Sequence, residues 1–179
     1  GSRGLGDVYK RQIQDEVIDL ANQNAEINNV SDRCEFVVSC ICDFKVDTAD
    51  QRFDHVVCNP PYMEAGHHTA SPKKSRAQAL GNECEDMSLE DWIKSALLLL
   101  KNGGSLTMIH RADAVDRIVA FLHGRFGQIE IIPLWPKAGK PAKRVIVRAL
   151  KDRKSPAVIN PGLVLHKDDG SYTAEAEAI

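Results

Sequence analysis

Between Asp15 and Asn29 the apolar residues Val17, Leu20, Ala21, Ala25 and Ile27 recur near a spacing of about 3.6, which predicts an amphipathic helix. Asp15 and Glu16 suit its positive N-terminal end, and Asn28-Asn29 supplies a stop. The pattern then shortens. Cys34 to Ile41 and Phe53 to Cys58 are compact apolar runs with β-branched valines and read as buried strands. Ser88 is an N-cap, with Glu90 and Asp91 in the first turn and an apolar stripe of Trp92, Ile93, Ala96, Leu97 and Leu100 behind it. Asn102-Gly103-Gly104 is expected to end that helix. Ser105 to His110 reads as a strand, and Ala112 to Phe126 as a helix with Val115, Ile118, Val119 and Leu122 inward. Ile129 to Trp135 and Arg144 to Leu150 read as strands flanking a Pro/Gly/Lys-rich loop, Pro136 to Lys143. Leu163 to His166 forms a short strand, and Thr173 caps a last helical turn through Ala174 to Ile179.

Strands alternating with helices predict an α/β fold with a mostly parallel sheet. The last two long strands have no helix between them and therefore pair antiparallel. Gly1 to Arg11 does not read like the rest. Gly1, Gly4 and Gly6 resemble a phosphate loop only loosely, because such a loop needs a strand before it. Residues 1–12 are thus expected to be a non-native or disordered N-terminal stretch, with structure starting at Ile13 and one domain running from 13 to 179.

Composition narrows the class. A chain of 179 residues, 43% hydrophobic and 27% charged, buries a real core, which excludes wholesale disorder. No apolar run is longer than Ala96 to Leu100, far too short to cross a membrane, and no signal-peptide core precedes it. Five cysteines, Cys34, Cys40, Cys42, Cys58 and Cys84, form no C-x-x-C pair and read as small buried hydrophobes in a reducing cytoplasm. His67-His68 lacks a third ligand nearby, so no metal is expected, and a substrate loop is the better reading. With a net charge of -2, a nucleic-acid partner requires a local basic face.

The tetrad Asn59-Pro60-Pro61-Tyr62 follows directly on the Phe53 to Cys58 strand. Open α/β sheets bind ligands beyond the carboxyl ends of their strands, so these residues are placed for chemistry. Their types suit methylation of a planar amino nitrogen, whose lone pair is conjugated and poorly nucleophilic. The Asn59 side-chain oxygen accepts one N–H and the Pro60 carbonyl the other, which lets the lone pair aim at a sulfonium methyl. The prolines fix φ and remove amide donors. Tyr62 offers a stacking face, worth about 1–3 kcal/mol per base. Near-ideal orientation lowers a barrier by about 7–11 kcal/mol. A Pro-Pro turn capped by Asn is the plainer reading of the same residues; their position after a strand favours the chemical one.

FDHVVCNPPY resembles the motif IV region of S-adenosylmethionine-dependent N6-adenine and N5-glutamine methyltransferases. HTASPKKSRAQAL, LEDWIKSALLLLKNGGSLTMIHRAD, PLWPKAGKPAKRVIVRALK and GLVLHKDDGSYTAEAEAI together are similar to the bacterial tRNA1(Val) (adenine(37)-N6)-methyltransferases, from about Ile13 to Ile179. NPPY marks the class, while KAGKPAKRVIVRA and LVLHKDDGSYTAEAEAI distinguish this family from its relatives. The resemblance implies a class I, Rossmann-like methyltransferase fold with a C-terminal antiparallel hairpin and its first strand missing, S-adenosylmethionine as cofactor, and Asn59, Pro60, Pro61 and Tyr62 as catalytic residues. The family's ribose-binding acidic residue falls at Gln12, and its adenine-contacting acidic residue at Cys40 or Asp43, of which Asp43 keeps the carboxylate; Asn59 also faces the cofactor. The family's D-x-G-x-G-type loop has no counterpart in the chain, so a truncated domain without useful cofactor affinity is expected.

From Lys137 to Lys154, eight basic side chains stand against the single Asp152, a local charge of +7. Lys73, Lys74 and Arg76 form a second cluster after the tetrad. Lys73, Lys74, Arg76, Lys140, Lys143 and Arg144 are the expected contacts to tRNA phosphates, in salt-sensitive binding; a solvated hairpin face is the plainer alternative. Arg144 and Arg148 share a strand face. A target base must be flipped or unpaired, and an anticodon loop presents such bases. His110 and Arg111 end a strand and either line the pocket or cap the surface, and Trp135 packs at the hairpin end or stacks on RNA. Three other readings remain: a glutamine N5-methyltransferase, which usually carries a helical N-terminal domain; a DNA adenine methyltransferase, which needs a target-recognition domain; and a non-catalytic RNA-binding remnant.

Overall fold

The computed structural model describes residues 8–12, 15–38, 52–62 and 87–179, and the chain divides into two compact units, Gly1–Lys45 and Val46–Ile179. In the first unit, strand β1 (Val8–Gln12) pairs in parallel with β2 (Cys34–Val38), and helix α1 (Asp15–Ile27) lies between them in the chain. Residues 8–12 are thus ordered as a strand, where the sequence led to an expectation of disorder. Val8–Gln12 is a strand because a parallel partner, remote in sequence, satisfies its backbone; residues 1–7 lie outside the described residues. Helix α1 buries Ile18 and Ala25, while Leu20 and Ile27 of the expected stripe are exposed. Asn29 leaves the helix at φ +54, the left-handed geometry of a helix stop.

The second unit is a mixed sheet. Its described strands are β3 (Phe53–Cys58), β4 (Leu100–Arg111), β5 (Phe126–Trp135), β6 (Arg144–Lys151), β7 (Val158–Ile159) and β8 (Leu163–Val164). They run in the order β3-β4-β6-β5-β7, with β8 also on β5. β3 and β4 are parallel; β6 is antiparallel to β5, as the missing helix between the last long strands predicts, and also to β4. Helices α2 (Leu89–Leu99) and α3 (Val115–Leu122) supply Ile93, Ala96, Ile118 and Leu122 to a core shared with Leu106 and Met108 of β4 and Val145, Val147 and Ala149 of β6. Burial of such a leucine or isoleucine contributes about 1.5–3 kcal/mol.

Helix α2 starts as its sequence predicts. Ser88 Oγ accepts the Asp91 N–H at 3.2 Å, and Asp91 Oδ2 accepts the Ser88 N–H at 3.1 Å, a capping box. It ends earlier than expected, at Leu99, and β4 begins at once. Lys151, buried at the end of β6, donates from Nζ to the carbonyls of Leu97 and Leu100, and so satisfies the orphaned end of the helix. Asn102-Gly103-Gly104 instead forms an excursion within β4: the register jumps from Phe53 opposite Leu100 to His55 opposite Ser105. The next expected helix is also shorter. A 3-10 turn (Ala112–Ala114) precedes α3, and Gly124, at φ +78, turns the chain so that Phe126 opens β5.

At the C-terminus the expected strand is reduced to Leu163–Val164 plus a bridge from His166 to Tyr172. Thr173 caps a short helix, α4 (Ala174–Glu177), by accepting the Ala176 N–H. The pair Val158–Ile159 has no signature in the sequence, since two residues carry no period. Among the described residues no helix is long and apolar enough to cross a membrane.

One consequence of this topology positions the site. Because β6 runs antiparallel to β4, its first residue, Arg144, lies opposite Arg111, the last of β4. The carboxyl ends of β3 and β4 and the loop before β6 therefore share one edge of the sheet.

Candidate active site

The tetrad leaves β3 at that edge. Val56 and Cys58 pack against the core, and the His55 ring meets Ser105 Oγ through Nδ1 at 2.7 Å, which ties the strand to β4. Asn59 is exposed, Pro60 buried, Pro61 exposed and Tyr62 half-buried. Pro60, Pro61 and Tyr62 line a cavity of about 290 Å³, near the lower end of small-molecule sites. Its other walls are the first turn of α2 with Trp92, His110 at the end of β4, and Arg117 and Phe121 of α3. The turn is thus neither lost in the core nor turned away from a cleft.

His110 stands edge-on to Tyr62, with ring centroids 5.4 Å apart at 84°. Burial pushes its pKa down, partly opposed by the main chain at Pro61 and Arg111, so the ring is neutral at pH 7. Its Nδ1, like Trp92 Nε1, is buried with no hydrogen-bond partner among the described residues. On the other strand of the edge, the Arg144 guanidinium lies 5.8 Å from the Tyr62 centroid, within cation–π range. The Lys143 carbonyl accepts the Ala112 N–H at 3.1 Å, which anchors the start of β6 beside the end of β4. Arg111 pairs with Asp113.

The basic side chains between Lys137 and Lys154 are divided between the two ends of β6. Lys140, Lys143 and Arg144 are exposed at the tetrad edge. Lys137 donates to the Asp168 carbonyl at 2.8 Å. Arg148 shares the face of Arg144, opposite the buried Val145, Val147 and Ala149, but pairs with Glu130 at 3.1 Å. Lys151 is buried, and with Arg153 and Lys154 it lies at the far end of β6.

Gln12 is the last residue of β1. Asp43, Lys73, Lys74, Arg76, His67, His68, Cys40, Cys42 and Cys84 lie outside the described residues. Cys34 and Cys58 are free thiols, and burial pushes Cys58 up to about 12, so it is a packing residue and no nucleophile. Trp135 packs at the hairpin end, with Nε1 donating to the Pro161 carbonyl at 3.0 Å. Sequence reasoning assigned Trp92 to the core and missed it and Phe121 as cavity walls. The available signal was an aromatic residue in the first helical turn, at the end of the helix nearest the strand edges.

Residues 6–116 match the family described as Eco57I restriction-modification methylase. A tRNA1(Val) (adenine(37)-N6)-methyltransferase from Shewanella baltica is 30% identical over 174 residues, covering 96% of this chain and 71% of that protein. Among solved structures, a predicted O-methyltransferase from Agrobacterium tumefaciens superimposes with a TM-score of 0.69 at 24% identity, over 96% of this chain and 75% of that one. The N-methyltransferase NodS from Bradyrhizobium japonicum, solved with S-adenosyl-l-homocysteine, gives 0.54 at 14% identity, over 81% of this chain and 66% of that one. Both likenesses bear on the fold, and the fold is that of the Rossmann-like methyltransferases. With a family match over more than half of its residues and a relative 30% identical along nearly its whole length, the chain belongs to the family of tRNA1(Val) (adenine(37)-N6)-methyltransferases.

Proposed function

We propose that this protein transfers the methyl group of S-adenosylmethionine to the exocyclic N6 of an adenine in tRNA. The observation that carries this reading is the open Asn59-Pro60-Pro61-Tyr62 turn at the carboxyl edge of the sheet, beside a cavity and under the Arg144 guanidinium. The donor set fits the cofactor: an exposed Asn59 amide stands at a strand's carboxyl end, where such sheets take nucleotide ligands. Asp43, Gln12 and Asn59 are its proposed contacts. S-adenosylmethionine supplies an electrophilic methyl group. The chain's own part is to orient the acceptor. Asn59 Oδ1 and the Pro60 carbonyl accept the two N6 hydrogens, and Tyr62 stacks on the purine. The C–N bond forms as the C–S bond breaks, and the nitrogen then sheds a proton to water.

Lys73, Lys74, Arg76, Lys140, Lys143 and Arg144 are the proposed phosphate contacts, and an anticodon loop is the proposed target because its bases are already unstacked. The two compact units act as parts of one methyltransferase domain, a reading supported by relatives that align across both. The site of action is the cytoplasm, and the reaction requires no metal. A glutamine carboxamide presents the same nitrogen problem, but an aromatic ring beneath a guanidinium suits a base and its phosphates better.

The test is transfer of labelled methyl from S-adenosylmethionine to tRNA by the protein expressed from its complete reading frame. Asn59→Ala should lower kcat by about 10²–10³-fold, the usual cost of one positioned hydrogen-bonding group, with tRNA affinity unchanged. Transfer within a few-fold of wild type removes Asn59 from its role. Methylation of a glutamine peptide in place of tRNA overturns the substrate.

A further inference from the structure

The chemistry above makes no use of the C-terminal stretch LVLHKDDGSYTAEAEAI. In the fold it forms a braced hairpin. His166 bridges to Tyr172, and their rings stack with centroids 4.8 Å apart at 30°. Between them, Lys167 donates its N–H to the Ser171 carbonyl at 2.8 Å, and Asp169 Oδ1 accepts from the Ser171 N–H and hydroxyl at 2.9 and 2.7 Å. The Thr173 N–H reaches the Leu165 carbonyl at 3.0 Å, and Lys137 Nζ holds the Asp168 carbonyl. This rigid mounting presents a tyrosine that is 56% exposed.

The hairpin stands at the tetrad's edge of the sheet. The Leu165 N–H donates to the Trp135 carbonyl and the His166 N–H to the Pro136 carbonyl, so it continues from the end of β5. Leu134 of β5 lies opposite Arg144, which lies opposite Arg111. Three strand spacings, roughly 15 Å, therefore separate the end of β4 from this segment. Along that edge the order is aromatic Tyr62, basic Arg144, Lys143 and Lys140, then aromatic Tyr172. Basic residues that hold a backbone between aromatic faces that take its bases are the arrangement of single-stranded nucleic-acid sites.

We infer that Tyr172, backed by His166, is a stacking platform for a second, unmethylated base of the tRNA, a few nucleotides from the target adenine. This rests on tRNA as the substrate. Asp168 and Asp169 repel phosphate, so the platform takes the face of a base while the backbone lies over Lys140, Lys143 and Arg144. The ring is mounted before binding, so little ordering entropy opposes the contact.

Steady-state kinetics test it, beginning with the wild-type protein. Tyr172→Ala should raise KM for tRNA on the order of ten-fold, the size of one base stack, with kcat and KM for S-adenosylmethionine unchanged. Tyr172→Phe and Tyr172→Trp should stay within about two-fold of wild type, since both keep a ring face. The salt dependence of tRNA binding should be the same in all of them. A short RNA carrying only the target adenine and its immediate neighbours should not distinguish Tyr172→Ala from wild type. An unchanged KM for tRNA in a Tyr172→Ala protein of wild-type melting midpoint overturns the inference. So does an equal loss on the short RNA, which makes Tyr172 part of the scaffold. Absence of transfer by the wild type overturns tRNA methylation itself; anisotropy of labelled tRNA with wild type and Tyr172→Ala then decides the platform separately.

Discussion

His110 is buried and packs against the Tyr62 ring in a T-shaped pair. Its folded pKa lies below the ordinary value, mainly because burial disfavours the charged ring, with the Arg111 charge adding to this and Asp113 and the main chain opposing it. At pH 7 the ring is neutral in folded and unfolded chains alike. Below about pH 6.5 the unfolded chain takes up the proton first, so the contribution to stability is lost as pH falls through the folded pKa. The urea midpoint of the wild type should therefore drop further between pH 7 and pH 5 than that of His110→Gln. Parallel decreases in the two proteins would show that this ring is not the titrating group. Cys58 is a second residue defined by its surroundings: the same strand end that presents Asn59 keeps the thiol protonated.

Among the elements, β8 depends on the glycine before it. Gly162 precedes it at φ +81, and a Cβ there would lie 2.2 Å from the Pro133 carbonyl oxygen and 2.8 Å from Trp135 Nε1. An alanine meets both an unfavourable backbone region and the main chain of β5. Gly162→Ala should lower stability by more than about 1 kcal/mol and expose residues 160–179 to limited proteolysis. It should also raise KM for tRNA, because Tyr172 depends on this docking. Protection from protease equal to wild type would mean that the turn relaxes without cost. Helix α2 shows the opposite case, where local chemistry and fold agree: Ser88 and Asp91 cap it as their spacing predicts.

For the whole molecule, a net charge of -2 leaves tRNA affinity to the distribution of charge rather than its sum. The antiparallel return of β6 sends Lys140, Lys143 and Arg144 to the tetrad edge and Lys151 to the other. The logarithm of tRNA affinity should fall linearly with that of salt concentration. Removing Lys140, Lys143 or Arg144 should each flatten the slope by about one ion or less. Lys151→Met should leave the slope unchanged, since its ammonium is spent on the Leu97 and Leu100 carbonyls. Equal slopes for all four variants would show that this edge does not face the phosphates.

The residues that act through their chain neighbours were legible from sequence: the strand that runs into Asn59-Pro60-Pro61-Tyr62, the capping box of α2, the cap at Thr173, and the antiparallel pairing forced by the missing helix. Each depends on spacings of a few residues, which φ, ψ and hydrogen-bond geometry translate directly into structure. Tertiary structure decided the rest. It made Val8–Gln12 a strand by supplying β2, ended α2 early through a lysine 52 residues beyond its last residue, Leu99, and divided one basic run between two edges of a sheet. It also brought His110 and Arg144 to Tyr62 and Tyr172 to the same edge of the sheet. Pairing between strands remote in sequence sets such neighbours, and no local preference along the chain encodes which residues will meet.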